Sequence, residues 1–223
     1  MLPVEVRAKS VFDIFSPALA LTTILVTLAY FFHIITFYYI LKWTPTIVTT
    51  MGIPAAAASG VLTWANVGGA LGGAVFGLLT TRIGLKPLSI GILAMTMVGV
   101  AIFGQSAPEV TQLSYLAAFA GFFGNAGVSG LYTIVAYVFP THVRATGTGF
   151  VIGVGRGGAV LAPILAGYLL KGGATLGTVA LVMGVGSLLA AITLLFLKLG
   201  TNKPAGVTAT DGVANGKLDI SMA

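Results

Sequence analysis

Long apolar runs broken by short polar or proline-bearing stretches recur six times along this chain. A membrane crossing needs about 20 mostly apolar residues. Six segments qualify: 18–42, 57–80, 88–106, 113–138, 146–170 and 175–198. Their boundaries carry the expected punctuation. Ser16-Pro17 offers an N-cap followed by proline at the first helical position. Pro45 and Pro54 bracket the first loop, Pro87 starts the third helix, and Pro140 ends the fourth. The pattern predicts an all-α transmembrane six-helix bundle over 18–198. A cytoplasmic lead-in over 1–17 precedes it, without the short apolar core and cleavage site of a signal peptide. A polar tail rich in Gly, Ala and Thr follows over 199–223, predicted to be disordered and cytoplasmic.

Polar residues inside the spans are unevenly shared. The third and sixth spans hold little beyond Ser89, Thr96, Ser187 and Thr193, which predicts two lipid-facing helices. In the first span His33, Thr36, Phe37 and Ile40 share a face at spacings of three and four, with Tyr39 close by. Ser59, Thr63 and Asn66 do the same in the second, and Asn125, Ser129 and Tyr132 in the fourth. With Arg156 in the fifth span, four helices therefore line a predicted polar cavity. Each residue also has a plainer reading: Ser and Thr in such helices commonly bond their own backbone, and Asn66 and Asn125 serve equally as glue between helices. His33 is read equally as a ligand contact or a structural hydrogen-bonding group. Glycines at 69, 73 and 77, and at 149, 153 and 157, form two ridges suited to close helix packing.

Composition sharpens this picture. Of 223 residues 57% are hydrophobic and only 7% charged, with a mean hydropathy of +1.04, whereas a soluble domain is about one quarter charged. The net charge of +6 suggests nucleic acid only until the charges are placed. With the N-terminus inside, Arg7, Lys9, Arg82, Lys86, Arg144, Lys198, Lys203 and Lys217 are cytoplasmic, and Lys42 and Lys171 external. That bias predicts both termini inside the cell's inner (plasma) membrane and no nucleic-acid partner. There is no cysteine. Two histidines and no carboxylate within a span give no credible metal or nucleophile set, so neither a cofactor nor an enzyme is expected.

The remaining basic residue, Arg156, lies within the fifth span, roughly 15 Å from its start and so near the midplane. Even low estimates put a central arginine at about 2.5 to 3.5 kcal/mol unfavourable, and such residues face protein or a watery cavity. Arg156 is the leading candidate for a functional charge.

Two stretches carry a family resemblance. The loop Gly77-Leu-Leu-Thr-Thr-Arg-Ile-Gly-Leu-Lys86 resembles the Gly-x-Leu-x-Asp-Arg-x-Gly-x-Arg/Lys loop of the major facilitator superfamily, with Thr81 replacing the usual aspartate. The segment YTIVAYVFPTHVRATGTGFVIGVGRGGAVLAPILAG, 132–167, resembles the junction of the tenth and eleventh helices of bacterial facilitators. It is most similar to that of the aromatic acid and other organic acid:proton symporters. The FFHIITFYYILKWTPTIVTTMGI stretch resembles their seventh helix. Sugar porters fit less well, since their Gln-Gln and Pro-Glu-Thr-Lys-Gly motifs are absent.

The resemblance implies one six-helix half of a twelve-helix facilitator fold. It implies a small organic anion, an aromatic carboxylate by this reading, carried with protons by alternating access. Arg156 would hold the acid group, with Tyr39, His33, Asn125 and Tyr132 as contacts, and Gly77, Arg82, Gly84, Lys86 and Arg144 as a gating loop set. The coupling carboxylates of such symporters lie largely in the other half. The chain is therefore expected to need a separate amino-terminal half or a second copy. A sugar or other metabolite facilitator and a non-transporting membrane partner remain alternatives.

Overall fold

The computed structural model describes residues 11–198. A short 3-10 turn, Val11–Phe15, leads into seven α-helices: α1 (Ala20–Thr50), α2 (Ala55–Ile83), α3 (Leu85–Gly104), α4 (Val110–Val138), α5 (Arg144–Gly155), α6 (Gly157–Lys171) and α7 (Leu176–Phe196). The helices α5 and α6 together make one span, so the described residues cross a membrane six times. The tail expected over 199–223 lies outside the described residues, as does most of the lead-in.

Helix is the conformation lipid demands, because each backbone donor and acceptor must be satisfied within the segment. Many hydroxyls join that ladder. Thr27, Thr44, Ser89 and Thr96 each donate to the carbonyl four residues back, as do Ser59, Thr63 and the Asn66 amide. The polar face predicted on the second span is thus largely turned onto its own backbone.

Two boundaries differ from expectation. Pro45 does not open a loop: α1 runs through it to Thr50, leaving only Met51 to Pro54 as the connection. Proline is tolerated within membrane helices where neighbours and hydroxyl groups re-satisfy the backbone, and here Thr44 and Thr49 bond carbonyls on either side of the ring. The fifth span is interrupted at Arg156, where the Ala159 amide bonds back three residues instead of four. Glycines at 153, 155, 157 and 158 weaken the helix there, and Pro163 has no N–H to offer the Ala159 carbonyl.

The outward faces of α3 and α7 are apolar as expected, with Met95, Val98, Ile102, Leu181, Val182 and Val185 exposed. Their polar residues Ser89, Thr96 and Ser187 are buried inward. Yet these helices are not the least covered. They pack against each other, α3 also against α4 and α7 against α1. The spans of α2 and of α5 with α6 are only 33% and 28% buried, against 50% or more for the rest. The least covered spans are therefore α2 and α5 with α6, which do not touch each other and flank α1 and α4 on the bundle's open side.

The tightest helix pair is α2 with α4, where Gly69 and Gly73 of the predicted ridge face Asn125 and Ser129 and the adjacent row, Gly68 and Gly72, makes the closer backbone approach. A Cβ at Gly68 or Gly72 would meet the carbonyls of Ala118 and Phe122, and one at Gly121 the carbonyl of Ala65. Gly77, Gly149 and Gly153 have nothing within 4 Å. Consecutive glycine pairs at 68–69 and 72–73 carry the same four-residue period, so spacing alone does not say which row meets the partner.

One end of the bundle is tied together. Gly84, at φ +88°, turns α2 into α3 in one residue. Lys86 Nζ then donates to the carbonyls of Leu195 and Leu197 at 3.0 and 2.7 Å, capping the last turn of α7 with a cation. Arg144 Nε donates to Phe139 O at 3.2 Å. Ile14 is buried with Phe139, Val143 and Leu197, so the start of the chain, the α4–α5 turn and the end of α7 share this face. Of the residues expected to form a gating loop, Lys86 and Arg144 hold backbone carbonyls, while Arg82 and Gly77 are exposed.

Candidate functional site

Arg156 stands at the α5–α6 break on the open face, its side chain exposed. Its guanidinium is in electrostatic contact with the hydroxyls of Tyr132 from α4 and Tyr30 from α1. Those hydroxyls lie 3.1 Å apart, with the rings tilted together at 5.5 Å between centroids. Between two phenols only one proton is shared, so one O–H remains to donate outward, beside a guanidinium with five N–H donors in a planar fork. The cluster carries net positive charge with hydrogen-bond donors on one side, an arrangement suited to a carboxylate.

Arg156 and Tyr132 are thus brought together as expected. Tyr30 was missed. It is buried, and lying three residues before His33 it continues the face that periodicity marked, one turn earlier. A usable signal was Gly155, immediately before the arginine: a Cβ there would run into the Tyr30 ring.

His33 and Tyr39 require correction as ligand contacts. The His33 ring is fully buried. Its Nε2 lies 2.9 Å from the Gly124 carbonyl and must donate, so Nδ1 accepts from the Ser187 hydroxyl, also at 2.9 Å. Both nitrogens are spent in joining α1 to α4 and α7. On the face that periodicity identified, His33 and Thr36 are spent on neighbouring helices, while Phe37 and Ile40 border a cavity. Tyr39 is buried too, packed in the cluster containing Val100, Phe103 and Met183. Among the described residues its hydroxyl is the sealed side-chain polar atom without a hydrogen-bond partner.

Asn125 lies elsewhere, in the wall of a cavity of about 230 Å³ between α1, α2, α3 and α4. The wall is mainly apolar and small: Phe37, Ile40 and Leu41 on one side, Ala65, Gly69 and Ala70 on another, Ala120, Gly121 and Gly124 behind, with Thr96 and Asn66 adding polar atoms. Asn125 Nδ2 donates to Gly69 O at 2.7 Å, which fixes the orientation of the amide. Asn125 and Tyr132 are seven residues apart on α4, hence on one face and about 10 Å apart along the axis. Phe37 and Tyr30 stand in the same relation on α1, which runs antiparallel. The cavity and the arginine cluster therefore lie at two levels along α1 and α4.

The family model of the Major Facilitator Superfamily matches residues 22–218. This chain belongs to the major facilitator superfamily. Among its curated facilitator relatives are the 3-(3-hydroxy-phenyl)propionate transporter of Escherichia coli, strain K12, 31% identical over 75% of this chain, and a 4-hydroxybenzoate transporter of Pseudomonas aeruginosa, 32% identical over 74% of it. A gallate transporter of Pseudomonas putida is 27% identical over 82%. All three are named as transporters, not enzymes. The matched part is 41%, 37% and 41% of those relatives, so this facilitator chain spans less than half the length of each. Six membrane spans and one open face are what half of a twelve-helix facilitator presents.

Proposed function

We propose that this chain forms one six-helix half of a transporter that carries small aromatic carboxylates by proton-coupled alternating access. The observation that carries the reading is the Arg156, Tyr30 and Tyr132 cluster on the open side of the bundle. In such transporters substrate sits near the midplane between two halves that rock against each other, and an arginine placed there needs an anionic partner. The relatives named for hydroxybenzoate, gallate and hydroxyphenylpropionate support an aromatic acid over a sugar.

Arg82, Lys86, Arg144 and Lys198 belong to one end of the bundle, and Lys42 and Lys171 to the other. By the positive-inside bias the first end is cytoplasmic, in the inner membrane. No Asp or Glu occurs within a span of this chain, and His33 is occupied. In this reading the coupling carboxylate comes from a complementary amino-terminal half.

Direct binding tests the anion site. The detergent-purified chain is expected to bind benzoate and to reject benzamide, the neutral analogue of like shape, in calorimetric titration. Equal affinity for the two would remove the arginine cluster from recognition. A separate expectation concerns the cycle: cells expressing the chain alone take up no labelled 4-hydroxybenzoate above background. Sustained uptake by the chain alone would refute the need for a second half.

A further inference from the structure

We infer that Asn125 reads a hydroxyl group on the aromatic ring of the substrate, so that the transporter selects hydroxylated aromatic acids over unsubstituted ones. This rests on the anion site proposed above and deepens it. The arginine cluster accounts for the carboxylate and leaves the cavity unexplained.

The cavity's polar atoms offer acceptors on three residues, together with one uncommitted N–H on each asparagine. Asn125 commits an N–H to the Gly69 carbonyl, so Oδ1 must face away from that bond. Oδ1 has no protein hydrogen bond and is not sealed, Tyr39 Oη being the sealed unpartnered atom among the described residues. It therefore opens on the cavity that Asn125 lines. Asn66 likewise gives an N–H to Leu62 O and keeps its oxygen free. Thr96 donates to Ile92 O and presents only lone pairs. No charged residue lines this space. A second carboxylate would find no cation there, whereas a neutral O–H would find an acceptor.

Spacing agrees with a ring between the two levels. Asn125 and Tyr132 are about 10 Å apart along α4. Two hydrogen bonds of about 2.8 Å with a hydroxybenzoate about 6 Å from carboxylate to hydroxyl oxygen span roughly 12 Å, a comparable length. Phe37 supplies an aromatic wall, and Ala65, Ala70 and Ala120 add only small side chains around it.

The test compares benzoate, 4-hydroxybenzoate and 4-fluorobenzoate on the purified full chain, the fluorine being near the hydroxyl in size but unable to donate. One net hydrogen bond predicts 4-hydroxybenzoate binding about fivefold or more tighter than 4-fluorobenzoate. In Asn125→Leu the ratio falls to about one. Should that variant elute as aggregate, the wild-type comparison still decides: equal binding of hydroxy and fluoro ligands overturns the inference, as does a preference that survives in a folded Asn125→Leu. Loss of all three ligands in Arg156→Gln, together with an unchanged hydroxyl ratio in Asn125→Leu, sinks this inference and leaves the anion site standing. If no benzoate binds even to the wild type, both fall.

Discussion

Replacing Arg156 with alanine is expected to weaken benzoate binding by roughly 10- to 100-fold, the range for losing a hydrogen bond to a charged group. The side chain is exposed on the open face, so its removal opens no hole in the core and the protein should elute and melt as before. Binding and not folding is what changes. Arg156→Lys keeps the charge but not the planar fork that matches both carboxylate oxygens. It should therefore recover only part of the affinity. Titrations of the wild type and the two variants with benzoate decide the matter, and equal dissociation constants in all three would remove Arg156 from the anion site.

The second large effect concerns packing. Gly121→Ala is expected to destabilise the chain by about 3 kcal/mol, the upper part of the usual range for overpacking. Its new methyl would meet the backbone carbonyl of Ala65. A flexible side chain yields by changing rotamer, but a carbonyl within α2 moves only if the helix moves, so α2 and α4 must separate. Gly149→Ala supplies the contrast. Nothing lies within 4 Å of that position, and replacing a helical glycine with alanine favours the helix by roughly 0.5 to 1 kcal/mol. Thermal melts in one detergent should place Gly121→Ala well below the wild type and Gly149→Ala at or above it. The reverse order would show that Gly121 is not at a close approach of α4 to α2.

The glycines illustrate a general limit of reading this chain by period. A four-residue repeat says that a small-residue face exists, and the paired glycines at 68–69 and 72–73 satisfy it in two registers. Choosing between them needs the partner helix. His33 shows the same limit: spacing left it equally a ligand contact and a structural hydrogen-bonding group, and only its neighbours on α4 and α7 show both ring nitrogens engaged in packing. Pro45 shows a different limit. In water a proline inside a helix usually ends it, whereas lipid penalises any loop that would replace the helix.

By itself, the sequence determined that this is a six-span membrane protein, where its charges lie along the chain, that Arg156 falls within an otherwise apolar span, and that its motifs resemble those of facilitators. These follow from composition and order along the chain, because the cost of placing a polar or charged group in lipid is a local quantity. Only the tertiary structure decided which helix faces are open, that Tyr30 and Tyr132 attend the arginine, and that His33 is spent in packing while Asn125 borders a cavity. Those are relations between residues far apart in sequence, 102 positions for the tyrosine pair and 91 for His33 with Gly124. They depend on how far each helix is rotated about its axis, which the packing of its neighbours sets and its own period leaves free.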